Sequence, residues 1–187
     1  MKEMPSVKKA SITALCIALC YVLPVAFHAF AIGSAISPIH IPVFICGLIC
    51  GPAYGAFCGI SGPFVSFLLT GMPTITNMIS MVPELVVYGL VSGVLMRIIH
   101  TRSIFVDLYG SLIPAMLLGR ITGGLASALF YSYLSSGEHY SFALWFAAYF
   151  AGTLPGILLQ LIIIPTLILA LMKAKVIPQR KAKEARS

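Results

Sequence analysis

Residues 36–73 read ISPIHIPVFICGLICGPAYGAFCGISGPFVSFLLTGMP, and this stretch decides what kind of chain surrounds it. It holds no Lys, Arg, Asp or Glu, yet it is rich in Gly, Pro, Ser and Thr, which a soluble core helix would avoid. Pro42 to Cys50 is continuously apolar, Gly51-Pro52 is a turn signal, and Ala53 to Thr70 is mostly apolar again. A Gly that ends one helix and a Pro that opens the next follow the usual asymmetry of helix ends. The spacing predicts two helices back to back, over Pro42–Cys50 and Pro52–Thr70. The first is too short to cross a ~30 Å hydrocarbon core alone. A short helix in a membrane needs protein neighbours or a folded-in loop to satisfy its free backbone ends. Gly33 to Ile41 is therefore the candidate for a loop dipping over a cavity, and function is expected beneath it.

Composition agrees. Of 187 residues, 59% are hydrophobic and only 9% are charged, and the mean hydropathy is +1.01. A soluble domain carries about 25% charged residues. The apolar runs are long and do not alternate, which excludes barrel strands and predicts an all-α integral membrane protein. The chain suits one compact bundle with no soluble catalytic domain. The expected organisation is a membrane domain over 1–175 and a basic cytoplasmic tail over 176–187. No removable signal peptide is expected, because the first apolar run, Ala10 to Ile32, is long enough to span.

Six helices are predicted: about Lys8–Ala31, Pro42–Cys50, Pro52–Thr70, Asn77–His100, Ile104–Leu134 and Ser141–Met172. The last would be ~48 Å long if straight, so tilt or kinks at Pro155 and Pro165 are expected. The net charge of +7 raises nucleic acid as a partner, but its distribution points to a bilayer. With this topology, eleven of the twelve basic residues fall on one side and none in the opposite loops. Positive charge on the inner side then places both termini in the cytoplasm. The tail is expected to meet anionic lipid headgroups, and no nucleic acid is expected.

Cys16, Cys20, Cys46, Cys50 and Cys58 all lie in apolar segments without further ligand types nearby, so they read as small buried hydrophobes and no metal site is expected. Ala10, Ala14 and Ala18 repeat every four residues, a smooth stripe that suits either internal packing or the close approach of another helix.

Ionisable groups inside a bilayer cost roughly 2.5–3.5 kcal/mol each and mark function. Glu84 and Arg120 are the two deep ones. Their depths match, which leaves two readings open: a structural ion pair between helices 4 and 5, or groups that hold a polar part of a substrate. Asn77, Tyr88, Tyr131, Tyr149 and Gln160 supply candidate hydrogen bonds, and Trp145 a ring to stack on. Gly59-Ile60-Ser61-Gly62 fits the GxSG nucleophile motif of intramembrane proteases. That chemistry needs a His on a later helix. His100 and His139 fall at a helix end and in a loop, so the enzyme reading fails. No GxxxxGK[ST] phosphate loop occurs either, so the chain does not hydrolyse ATP by that route.

Several of these features together resemble the substrate-binding S component of an energy-coupling factor (ECF) vitamin transporter. The carrying residues are the Ala10/Ala14/Ala18 stripe, His40-Ile-Pro-Val-Phe-Ile, Gly51-Pro-Ala-Tyr-Gly55 and Leu-Leu-Thr-Gly71. Length, six helices, internal termini and basic tail also agree. The likeness is greatest to the riboflavin- and pantothenate-type branch. Riboflavin-type members carry an acidic residue where His40 stands, and basic and amide residues on helix 3; this chain departs from that pattern with Gly59-Ile-Ser-Gly-Pro-Phe. The nickel and cobalt branch reads metal through an N-terminal His, where this chain has Met1-Lys2-Glu3.

The resemblance implies a multi-pass protein of a bacterial-type plasma membrane that captures a vitamin or precursor from outside, without a cofactor. It also implies a T component and two ATPase subunits as partners, with the alanine stripe as the docking face, and His40 among the substrate-binding residues. The alternative is a self-sufficient secondary transporter, although no convincing repeat relates residues 1–95 to 96–187.

Overall fold

A computed structural model describes residues 4–29, 37–134, 146–147 and 152–177, the side chains of 28, 29 and 132–134 excepted. Among these residues the protein is helical: α1 (Ser6–Ala29), α2 (His40–Cys50), α3 (Pro52–Thr70), α4 (Ile75–Ile98), α5 (Ile104–Leu134) and α6 (Leu154–Lys173). All but α2 are long and apolar enough to cross a membrane.

The short helix is the centre of the bundle. Every residue of α2 except Ile49 is buried, and α2 packs on all five other helices. A membrane helix of eleven residues has to be enclosed this way, because lipid cannot satisfy its backbone ends.

Glycine sets how closely the helices around α2 approach. A β-carbon on Gly55 would lie 2.5 Å from the Gly89 carbonyl oxygen, and one on Gly93 would lie 2.6 Å from the Pro52 nitrogen. One on Gly59 would lie 2.7 Å from the Leu85 carbonyl. The backbones of α3 and α4 therefore touch, with Gly47 of α2 against Gly89 in the same knot. Small residues permit such crossings, where dispersion rather than solvent exclusion holds helices together. At the α2–α3 turn Gly51 has φ 103°, a conformation open to glycine, and the Arg97 guanidinium at the end of α4 lies over it.

The first helix lies against α2 and α3. Its inward face is Thr13, Cys16 and Cys20. The Thr13 hydroxyl is 3.4 Å from Cys46 Sγ, and the Cys50 thiol donates to the Lys9 carbonyl at 3.6 Å. All five cysteines are free and buried. Ala10, Ala14 and Ala18 are exposed on the other side of α1. Among the described residues, no helix covers the stripe.

One expectation changes. The last helix, expected from Ser141, begins at Leu154 after a turn at Gly152–Thr153. Pro155 therefore opens a helix rather than kinking one, since its missing N–H and fixed φ suit the first turn. Twenty residues give ~30 Å, which matches the bilayer without extra tilt. Asp107 is buried in the first turn of α5, where its carboxylate accepts from the Thr101 backbone N–H at 2.8 Å and the Thr101 hydroxyl at 2.6 Å. It braces the α4–α5 turn.

Candidate functional site

The site begins with a helical pair. Glu84 and Tyr88 are four apart on α4, so they share a face, and the Tyr88 hydroxyl donates to Glu84 Oε1. The Tyr88 ring is fully buried and held from three sides. Phe44 of α2 stacks on it, with centroids 4.6 Å apart and planes 27° apart. The His40 ring, one turn earlier on α2, meets it edge-on at 5.2 Å and 85°. Such stacked and edge-on geometries are the favoured ones for aromatic pairs. On α5, Gly119 leaves the space the ring fills, since a β-carbon there would overlap it.

Arg120 follows Gly119 and is 2% exposed. Its Nη1 donates to Thr153 Oγ1 at 2.7 Å. A β-carbon on the preceding Gly119 would lie 3.1 Å from the Glu84 carbonyl oxygen, so α5 at this level lies against the Glu84–Tyr88 turn of α4. Thr153 is the N-cap residue of α6, yet its side chain makes no capping bond to its own helix. An N-cap threonine usually accepts from the backbone N–H two or three residues on; here the oxygen serves Arg120.

Gln160 lies seven residues after Thr153, on the same side of α6, and is 1% exposed. Its Nε2 lies 3.4 Å from His40 Nδ1 and donates to the Ser37 carbonyl at 3.5 Å. The same carbonyl accepts from the His40 backbone N–H at 3.2 Å. Ser37 has φ 46°, an uncommon conformation for a residue with a β-carbon. The segment leading into α2 is therefore anchored to α6 at the polar cluster.

The structure brings together five of the residues singled out from sequence: His40, Glu84, Tyr88, Arg120 and Gln160. Asn77 does not join them. It is exposed in the first turn of α4, and only its backbone carbonyl is engaged, by Ser80 Oγ at 3.1 Å. Tyr131 is half-buried, eleven residues or ~16 Å along α5 from Arg120, with its ring edge-on to Phe130. Trp145, Tyr149, the side chain of His28, residues 33–36 of the loop over Gly33–Ile41, and the tail from residue 178 lie outside the described residues.

Sequence reading missed Phe44, Gly119 and Thr153. Phe44 follows His40 by one turn, and Gly119 adjoins Arg120, so helical spacing pointed to both. Thr153 was marked by Gly152-Thr-Leu-Pro155, a helix-start pattern.

Chemically, the cluster joins a carboxylate, a guanidinium, an imidazole, a carboxamide and a stacked aromatic pair, all within a bundle of membrane-spanning helices. No proton-transfer or nucleophilic constellation is present among the described residues; the arrangement suits recognition of a small polar solute. A search of curated proteins and a search of solved structures each return no match. The family model described as the substrate-specific component of ECF transporters matches residues 8–168, nearly the whole helical bundle, and the chain belongs to that family of multi-pass membrane transport proteins.

Proposed function

We propose that this substrate-specific subunit captures a small vitamin or vitamin precursor in the cluster around Arg120, Glu84, Tyr88, His40 and Gln160. The observation that carries the reading is the burial of that cluster. Glu84 and Arg120 are 5% and 2% exposed, and placing such groups at membrane depth costs roughly 2.5–3.5 kcal/mol each. A bundle that needed only to cross a membrane would replace them with apolar residues of similar size.

The distribution of basic residues puts the α1–α2 connection on the outer side, so the solute enters there. Arg120 suits a carboxylate, Glu84 a hydroxyl or N–H, and the Tyr88–Phe44 stack a ring or amide plane. Pantothenate, a pyridoxine-like compound, a thiamine precursor and a cobalamin-base precursor all meet this description.

ECF substrate-specific components work with a T component and ATPase subunits. For this chain the docking face is the exposed Ala10/Ala14/Ala18 stripe, opposite the face that buries Thr13, Cys16 and Cys20. A side chain no larger than methyl at each position lets a partner helix approach closely.

Purified protein tests the reading in two steps. Mass spectrometry of the purified protein should find a small vitamin-type molecule that is lost from Arg120→Lys. Proteoliposomes holding this chain alone should then show no concentrative uptake until a T component and ATPases are added with ATP. Ion-coupled uptake by the chain alone would overturn the proposal in favour of a secondary transporter.

A further inference from the structure

The 2.7 Å contact between Arg120 Nη1 and Thr153 Oγ1 joins a buried cation to the N-cap residue of a different helix. We infer that Thr153 is a positioning residue, whose hydroxyl sets the direction in which Arg120 presents its guanidinium to a bound solute. Three observations converge on it. The oxygen stands where an N-cap oxygen would, yet it makes no capping bond to α6. The backbone already fixes Thr153, because its carbonyl accepts from the Ile157 N–H at 3.0 Å and Pro155 holds the first turn. Arg120 is held at its base, because Gly119 lies directly against the Tyr88 ring.

The side chain of Arg is long and has many rotamers, so a fixed base alone does not aim its planar fork. A second point does, and a charge-assisted bond from a rigid backbone position is a strong one. Helix α6 packs on α2 and α5, and Thr153 lies at its first turn. The direction of the guanidinium and the placement of the start of α6 are then coupled. A solute carboxylate that binds Arg120 is then felt at the start of α6.

The inference rests on the proposed site only for its binding readout, and two measurements separate the two. The first is the guanidinium NMR spectrum of 15N-arginine-labelled protein in nanodiscs, with Arg120 assigned from Arg120→Lys. In the wild type its Nη groups should rotate slowly and give separate signals. Thr153→Val, which keeps the shape and removes the oxygen, should merge them, and Thr153→Ser should restore them. Should the Val protein not be recovered folded, Thr153→Ala removes the same oxygen with less bulk. An unchanged Arg120 spectrum in the variant lacking the hydroxyl would overturn the inference.

The second measurement is pantothenate affinity, pantothenate being the carboxylate-bearing candidate. Thr153→Val should weaken it by about tenfold, the scale of a lost hydrogen bond to a charged group, and Thr153→Ser should largely preserve it. Arg120 signals that respond to Thr153 in a protein that pantothenate does not bind would support the positioning role and remove pantothenate from the site. A response of the Arg120 signals together with unchanged pantothenate affinity would leave the contact real and overturn its role in presenting Arg120 to the solute.

Discussion

Two regions of this bundle are built on opposite principles. Where α2, α3 and α4 meet, the contact is backbone against backbone through Gly47, Gly55, Gly89 and Gly93. Where α6 meets α2 and α5, polar side chains reach across: Arg120 to Thr153, and Gln160 to Ser37 and His40. A backbone contact without side chains has one arrangement and no slack. A contact through long polar side chains can re-form in more than one geometry, and its groups can exchange a protein partner for a solute. In the proposed function the glycine region is the frame and the polar region is the working part. This division fits a binding subunit that must hold a fixed docking face while admitting a ligand.

The comparison breaks most directly at Gly89. A β-carbon there overlaps the Gly55 backbone, and neither helix can yield without displacing α2. Gly89→Leu should yield no monodisperse protein. Gly89→Ala should cost about 3 kcal/mol, the upper end of overpacking penalties, measured by chemical denaturation in detergent. A Gly89→Ala protein with unchanged stability would mean that the frame has slack after all.

Next in size is the buried pair of charges. Arg120→Met leaves Glu84 buried beside an apolar residue and should destabilise by about 3 kcal/mol. Glu84→Gln should destabilise less, because a neutral carboxamide oxygen can still accept from Tyr88. Combining the two should recover part of the loss if the charges stabilise each other. Stability that follows the pairing while ligand affinity stays flat would mark Glu84 and Arg120 as a brace and remove them from the site.

A smaller effect is expected at Gly71, the C-cap of α3. Its φ is 70° and nothing lies within 4 Å of an added β-carbon. Gly71→Ala should therefore cost about 1 kcal/mol through backbone strain alone. The contrast with Gly89→Ala separates conformational need for glycine from spatial need, and equal losses at the two sites would deny the distinction.

The smallest change in stability is expected on the exposed side of α1. Ala14→Leu should leave melting temperature and ligand affinity unchanged, because Ala14 is exposed. Assembly with the T component and uptake should fall, with Ala18→Leu behaving alike and Ala10→Leu weaker because it is nearer the helix end. Loss of binding with assembly intact would place the stripe in the wrong role.

Much of this architecture was legible from the chain alone. Uncharged apolar runs marked the membrane class, because a bilayer tolerates few other compositions. Gly51-Pro52 marked the α2–α3 turn to the residue, because only glycine readily takes that φ and proline opens a helix. Glu84 and Arg120 stood out because a charge at membrane depth is costly wherever it sits. These are local or solvent-imposed facts, and sequence carries them directly. Three things depended on the packing of elements far apart in the chain. Helical period placed Ala14 on one face of α1, but whether that face is covered depended on α2 and α3 taking the other. Glu84 and Arg120 matched in depth, but that Thr153, 33 residues later, also meets Arg120 was decided by where α6 begins. Thr153 reads as a helix cap from its neighbours; only the tertiary structure turns its oxygen towards a cation on another helix, because a buried guanidinium must find acceptors among whatever the bundle brings within reach.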